Sequence, residues 1–302
     1  MHPMEQSAKP VIKKLGTIDC DLVESTPVVW KGRLYRFEYV RHPWYKPNKT
    51  GQSYFRFVDV ESGAYTPSFA VGYHLGSAHV EGDTVYAYGV SAWGASSMRV
   101  FWSDDMVNWQ SQSAFDTDNW GIYNNSICKD EHGYVMAFEL GEPPEVVGIR
   151  FTNRFAFSTD LLNWEILPPD RVFTLDRYSA CPVIRFFGGY YYMIYLEEYP
   201  GPSYYPHMVR SRDLVKWESS PFNPILTPSD EDKVVANPSI SYEERARIAS
   251  IINVNNSDVD LCEFNGKTVI YYSWGTQMGD EFLAQAEYDG GLEKFFSRHC
   301  SN

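Results

Sequence analysis

Short runs of alternating apolar and polar residues recur along this chain, and glycine-marked turns separate them. Five segments share one layout: an apolar run, a turn carrying Gly, then a run rich in Tyr or Val. They cover 27–35, 78–86, 127–134, 182–190 and 261–269, with turns at Gly32, Gly82, Gly133, Gly188 and Gly266. Each reads as a two-stranded hairpin. A second pattern follows three of them: Ser-x-Asp-(Met/Leu)-(Val/Leu)-(Asn/Lys)-Trp. Its copies begin at Ser103, Ser158 and Ser211 and end at Trp109, Trp164 and Trp217, with starts 55 and 53 residues apart. Ser and Asp suit a turn in which side-chain oxygens bond nearby backbone N–H groups. The two aliphatics and the Trp are expected to anchor that turn in the core, so the motif is structural.

Repeated strands at this period predict an all-β, five-bladed β-propeller with four-stranded antiparallel blades. The blades fall at roughly 22–70, 74–120, 123–172, 177–228 and 256–296, within one domain spanning 1–302. The helical pattern at 241–249 begins with a capping-type Ser and reads as a small insertion before the last blade.

In a propeller the first strand of each blade lines the axis. Its start and the end of the second strand open on the same face. Aligning the hairpins on their glycines nominates Glu24, the stretch from His74 to His79, Asn124 and Asn125, the run Arg177-Tyr178-Ser179, and Asp258 with Asp260. Ends of second strands add Glu38, Arg41, His42, Trp44, Ser91, Trp93, Glu139, Glu142, Glu197, Glu198, Tyr199, Trp274 and Gln277. Crowded carboxylates beside apolar rings have their pKa values pushed apart, and glycoside hydrolysis needs two such groups. Glu24 and Asp258 are the expected charged pair. Glu197 and Glu139 are candidates for a general acid, and His79 for a proton donor. Arg177, Tyr178, Asn125, Glu139, Trp93 and Trp274 are candidates for holding substrate, the last two as stacking platforms. A carboxylate before an inner strand also serves as a cap for backbone N–H groups, and that role stays open for Glu24, Asp258 and Asp260.

Composition narrows the classes. Aromatic residues make up 16 % of the 302 residues, which suits strands and ring-shaped ligands. The net charge of −13 and the lack of a Lys/Arg cluster argue against nucleic acid and an anionic membrane surface. A neutral or cationic small ligand fits that balance. No P-loop, GxGxxG, HExxH or GxSxG motif occurs. No cofactor is expected and no ligand spacing specifies a metal site; an ion or water on the axis stays open. The five cysteines are scattered without CxxC spacing and are expected to be free thiols in a reducing compartment. The first 14 residues lack an apolar h-region, so a cytoplasmic location is the expectation. Oligomeric state is left open.

The Ser-x-Asp-Leu-x-x-Trp turns and the hairpins resemble the five-bladed propeller glycoside hydrolases of families 43, 32 and 117, over roughly 21–296. That resemblance implies a glycosidase that cleaves a short saccharide in an axial funnel. It implies that an acidic residue opening the first blade acts as base or nucleophile, which is Glu24 here. In families 43 and 32 it further implies an acid Glu just before a Pro in a later blade. The corresponding stretch, Tyr178-Ser179-Ala180-Cys181-Pro182, has no Glu. Family 117 implies a His as acid and Asp residues in the other roles, which draws attention to His79 and Asp258. A non-catalytic carbohydrate-binding propeller and a sugar-acid lyase or isomerase using His79 and Arg177 are the rival readings.

Overall fold

The structure is a computed structural model describing residues 8–41, 52–201 and 203–300. His42 and Trp44 lie outside the described residues. The chain forms a five-bladed β-propeller. An N-terminal strand, β1 (Lys13–Cys20), precedes the first blade, made of β2 (Ser25–Trp30), β3 (Arg33–Val40) and β4 (Tyr54–Asp59). The second blade holds β5 (His74–Glu81), β6 (Thr84–Val90), β7 (Ser97–Ser103) and β8 (Gln110–Asp116). The third holds β9 (Gly121–Lys129), β10 (Tyr134–Glu142), β11 (Thr152–Ser158) and β12 (Glu165–Ile166), with the short helix α1 (Pro144–Val147) between β10 and β11. The fourth holds β13 (Ala180–Phe187), β14 (Tyr190–Tyr199), β15 (Ser203–Ser211) and β16 (Trp217–Ser219). After α2 (Tyr242–Ser250) come β17 (Asn255–Phe264), β18 (Lys267–Gly275) and β19 (Glu281–Tyr288), then α3 (Leu292–His299).

The turns follow from their residues. Lys31-Gly32, Gly188-Gly189 and Asn265-Gly266 each place two successive residues at positive φ, the geometry of a two-residue hairpin whose twist matches its strands. The helix expected at 241–249 is α2, and the Ser241 side chain accepts a bond from the Glu244 N–H at 3.2 Å. No helix is long and apolar enough to cross a membrane among the described residues.

The repeated signature is a side-chain-braced turn. Asp105, Asp160 and Asp213 each accept two backbone N–H bonds at 2.7–2.9 Å on one oxygen. The next residue in each copy, Met106, Leu161 or Leu214, sits at positive φ with its side chain buried. The second aliphatic anchors the core as expected in one copy, where Leu162 packs against it, but not in the others, where Val107 and Val215 are exposed. The Trp does, and it packs on the preceding blade. Trp109 stacks on Phe69 of the first blade at 3.7 Å, Trp164 meets Tyr88 of the second edge-on, and Trp217 stacks on Phe155 of the third. The motif therefore joins blades.

Two features depart from the expected layout. The first blade has three laddered strands, with bridges from Phe69 and Tyr65 to Phe55 and Val58 covering its outer edge. The fifth blade takes its outer strand from β1, which pairs antiparallel with β19, so the ring includes residues before 22. This closure is pinned by a buried ion pair. Lys14 Nζ lies 2.7 Å from Asp232 Oδ1, and their side chains are 5 % and 0 % exposed. Asp232 also accepts from Tyr272, Asn253, Asn256 and the Ser229 N–H, so no lone charge is stranded. Asp232→Ala removes the partner of a buried cation and should lower the unfolding free energy by about 3–5 kcal/mol. Urea unfolding followed by Trp fluorescence reads this directly, and a loss below about 1 kcal/mol shows that closure rests elsewhere.

Candidate functional site

The inner strands β2, β5, β9, β13 and β17 neighbour one another in order around the axis. In four of them the ladder slips near the upper end: between His74 and Ser77, opposite Glu139 in β9, between Ala180 and Val183, and between Ser257 and Asp260. Such a bulge adds a residue to one strand and re-aims its side chain. Leu75, Cys181 and Asp258 occupy these bulges at φ of 54°, 50° and 47°. Glu24 enters from the segment before β2. Together with Asn124 these residues, one per blade, line the floor of a cavity of about 550 Å³. A much narrower space continues beneath along the axis.

The cavity is lined by aromatic, cationic and acidic side chains. Trp93, Tyr123, Phe151, Tyr178 and Tyr204 line it, with Arg41 and Arg150. Arg41 lies over the rings of Tyr39 and Trp93, 5.2 and 5.4 Å from their centres. Arg150 lies over Phe151 at 4.5 Å and donates to the Tyr123 hydroxyl at 2.7 Å. Four carboxyl groups share the lining: Glu24, Glu139, Asp258 and Glu281.

These carboxyl groups have different surroundings. Glu24 Oε2 is 3.8 Å from Arg41 Nη2 and has no hydrogen-bond partner among the described residues. Burial raises its pKa, Arg41 opposes this, and the Asp258 charge adds to the rise. Asp258 accepts from Cys181 Sγ on Oδ1 at 3.0 Å and from Ser273 Oγ on Oδ2 at 3.1 Å. Glu139 Oε2 accepts from the Cys181 N–H at 2.6 Å and from Asn124 Nδ2 at 3.1 Å. Burial outweighs those bonds and pushes its pKa up to about 7. Glu281 accepts from the Gln277 N–H at 2.5 Å, and burial pushes it up to about 8.

Glu24, Asp258, Glu139, Trp93 and Tyr178 thus meet at one cavity with Arg41, Asn124 and Gln277, and several other nominated residues lie elsewhere. Glu197 is on the opposite face of β14 from Leu196, which lines the cavity; its carboxylate accepts from Tyr195 and pairs with Arg177 at 3.7 Å. Arg177 is about half exposed and outside the lining. His79 lies toward the other mouth of the axis, beside Cys128, Arg185 and Cys262, where burial lowers its pKa to about 4. Trp274 is fully buried: it stacks on Phe282 and donates to Thr17 Oγ1 at 2.9 Å, so it offers no platform. Asn125 lines the narrow space below, bonded to Ser77 and the Leu75 carbonyl. Glu281, Cys181, Tyr123 and Arg150 were not nominated. Glu281 begins the third strand of its blade, which an alignment of hairpins omits. Among the described residues no three His, Cys, Asp or Glu side chains gather as a metal site. All five cysteines are free thiols.

No family model and no curated protein matches the sequence. Solved structures do match. A complex of BT0996 with RGII superposes with a TM-score of 0.64 at 12 % identity, covering 91 % of this protein and 92 % of that one. The chain has the five-bladed propeller fold found among glycoside hydrolases. A thermostable family-43 glycoside hydrolase gives 0.60 at 13 % identity, covering 90 % of each protein. A glycosyl hydrolase from Bacteroides ovatus gives 0.59 at 12 %, covering 94 % of this protein and 92 % of that one.

The buried carboxyls link stability to pH. Glu139 holds its proton up to about 7 in the native state, against 4.5 for the ordinary group. The native state therefore binds more protons than the unfolded chain between those values, and stability falls as pH rises through that window. Glu139→Gln should make this decline shallower. Urea unfolding at about pH 5 and about pH 7 compares the two slopes, and equal slopes show that Glu139 ionises normally.

Proposed function

We propose that the protein is an exo-acting glycosidase that hydrolyses a short saccharide in the axial cavity. The observation carrying this reading is the convergence of Glu139, Asp258 and Glu24 from three blades on one aromatic-walled cavity, with Glu139 protonated near neutrality. A volume of about 550 Å³ is in the range of small-ligand sites. The floor closed by one residue from each blade favours a chain end over the middle of a polymer. Trp93, Tyr178 and Phe151 offer ring faces and edges to the sugar.

In this reading Glu139 gives its proton to the leaving glycosidic oxygen as the bond to the anomeric carbon breaks. Asp258 meets the positive charge developing on the sugar. It acts either as nucleophile on the anomeric carbon or as base toward water, which then supplies the new hydroxyl. Glu24 and Arg41 form an adjacent charged pair that sets the local field. In the first route water breaks the glycosyl–Asp258 bond and gives its proton to Glu139; in the second Asp258 takes that proton, and exchange with solvent restores the Asp258 carboxylate and the Glu139 acid. Cys181 stands where the resemblance to families 43 and 32 implies the acid, and this observation supports a second reading: a carbohydrate-binding propeller without turnover.

Hydrolysis of a panel of aryl glycosides and short oligosaccharides separates the two. Glu139→Gln and Asp258→Asn should each lower kcat by about 10²–10⁴-fold. The wild-type rate should fall as pH rises through about 7, because the acid must carry its proton. Turnover that survives both substitutions sinks the acid and base roles given to Glu139 and Asp258, and calorimetric sugar binding without any turnover by the wild type supports the second reading.

A further inference from the structure

Resting on the glycosidase reading, we propose that Cys181 is a positioning residue whose thiol donates to Asp258 and fixes that carboxylate in the cavity, without acting as a nucleophile. The geometry begins at the bulge. At φ of 50° the backbone turns the Cys181 side chain toward the axis, where Sγ lies 3.0 Å from Asp258 Oδ1. Ser273 holds the other oxygen at 3.1 Å, so Asp258 is gripped by its own blade and by the fourth. Asn124 donates to the same sulfur at 3.3 Å and to Glu139 at 3.1 Å. The Cys181 N–H donates to Glu139 at 2.6 Å. One residue of the fourth blade therefore ties together the two carboxyl groups to which the reaction assigns opposite roles.

The chemistry of the thiol decides which role it takes. Burial first, and then the Asp258 and Glu139 carboxylates, hold its pKa well above the ordinary value. A thiol in such surroundings keeps its proton, and the thiolate is the nucleophilic form. Cys181 is thus an S–H donor with a fixed acceptor. Glu281, 4 % exposed, lines the same cavity and accepts from the Gln277 N–H.

Two measurements on the full chain test this. In steady-state hydrolysis, Cys181→Ala should lower kcat about tenfold with KM within about twofold, the loss of one oriented hydrogen bond, while Cys181→Ser should restore most of the rate. In Raman difference spectra of wild type minus Cys181→Ser, the S–H stretch should lie at the lowered frequency of a bonded thiol and rise in Asp258→Ala. Thermal unfolding of each variant confirms that it is folded. A kcat for Cys181→Ala within about twofold of wild type overturns the positioning role. An S–H band that Asp258→Ala leaves in place overturns the bond itself. If wild type turns over no substrate, the glycosidase reading fails alone, and the Raman band still decides whether Cys181 holds Asp258.

Discussion

The buried pair of Lys14 and Asp232 closes the ring, and the geometry of the cavity depends on that closure. Two charges in a protein interior are tolerated only when each finds its partner and its remaining hydrogen bonds. Here Lys14 comes from β1 and Asp232 from the segment before α2, and Asn256 bonds to both. Thr17 extends the clasp, donating to the Asp232 carbonyl and accepting from Trp274. The chain leaves β1 at Cys20 and reaches Glu24 four residues later. It leaves Asn256 and reaches Asp258 two residues later. The contact that joins the two ends of the ring therefore also sets the approach of Glu24 to Asp258.

Around that closure, every blade solves the same local problem. A strand with strict two-residue alternation sends its side chains sideways, into the neighbouring blades. A side chain reaches the axis only where alternation is broken, and the bulges at Leu75, Cys181 and Asp258 break it at matching heights. Backbone in the left-handed region is costly for residues with a β-carbon. The flanking ladders and the Ser-Asp-Trp turns, which bind the second, third and fourth blades each to the one before it, hold that strain in place.

This explains how much the sequence disclosed. The repeats reported the five blades because hairpin turns and Asp-braced turns are local and recur. They also pointed to Glu24 and Asp258, eight residues before Gly32 and Gly266. Leu75 and Cys181 stand seven residues before Gly82 and Gly188, whereas His79 stands only three before Gly82. Counting back from the glycine would have moved His79 to the opposite mouth of the axis and brought Cys181 into the cavity. Glu197 was misplaced by one residue, since alternation in β14 gives the cavity to Leu196. The pairing of β1 with β19 joins segments more than 260 residues apart and carries no repeat signature. Trp274 was drawn into that closure for the same reason.

The lack of a Glu before Pro182 looked, from the sequence, like a lost acid. In the fold that place is not empty of acid chemistry, because the Glu139 side chain reaches it from the third blade and bonds the Cys181 N–H. A carboxyl group is defined by where its oxygens lie and by what surrounds them, not by which strand carries it. Burial supplies Glu139 with the raised pKa that a proton donor needs, while two hydrogen bonds and a bulge fix its neighbour Asp258. If the cavity hydrolyses glycosides, the division of labour between acid and base is set at the inner strand of the fourth blade, where the Cys181 N–H bonds Glu139 of the third blade and its thiol bonds Asp258 of the fifth.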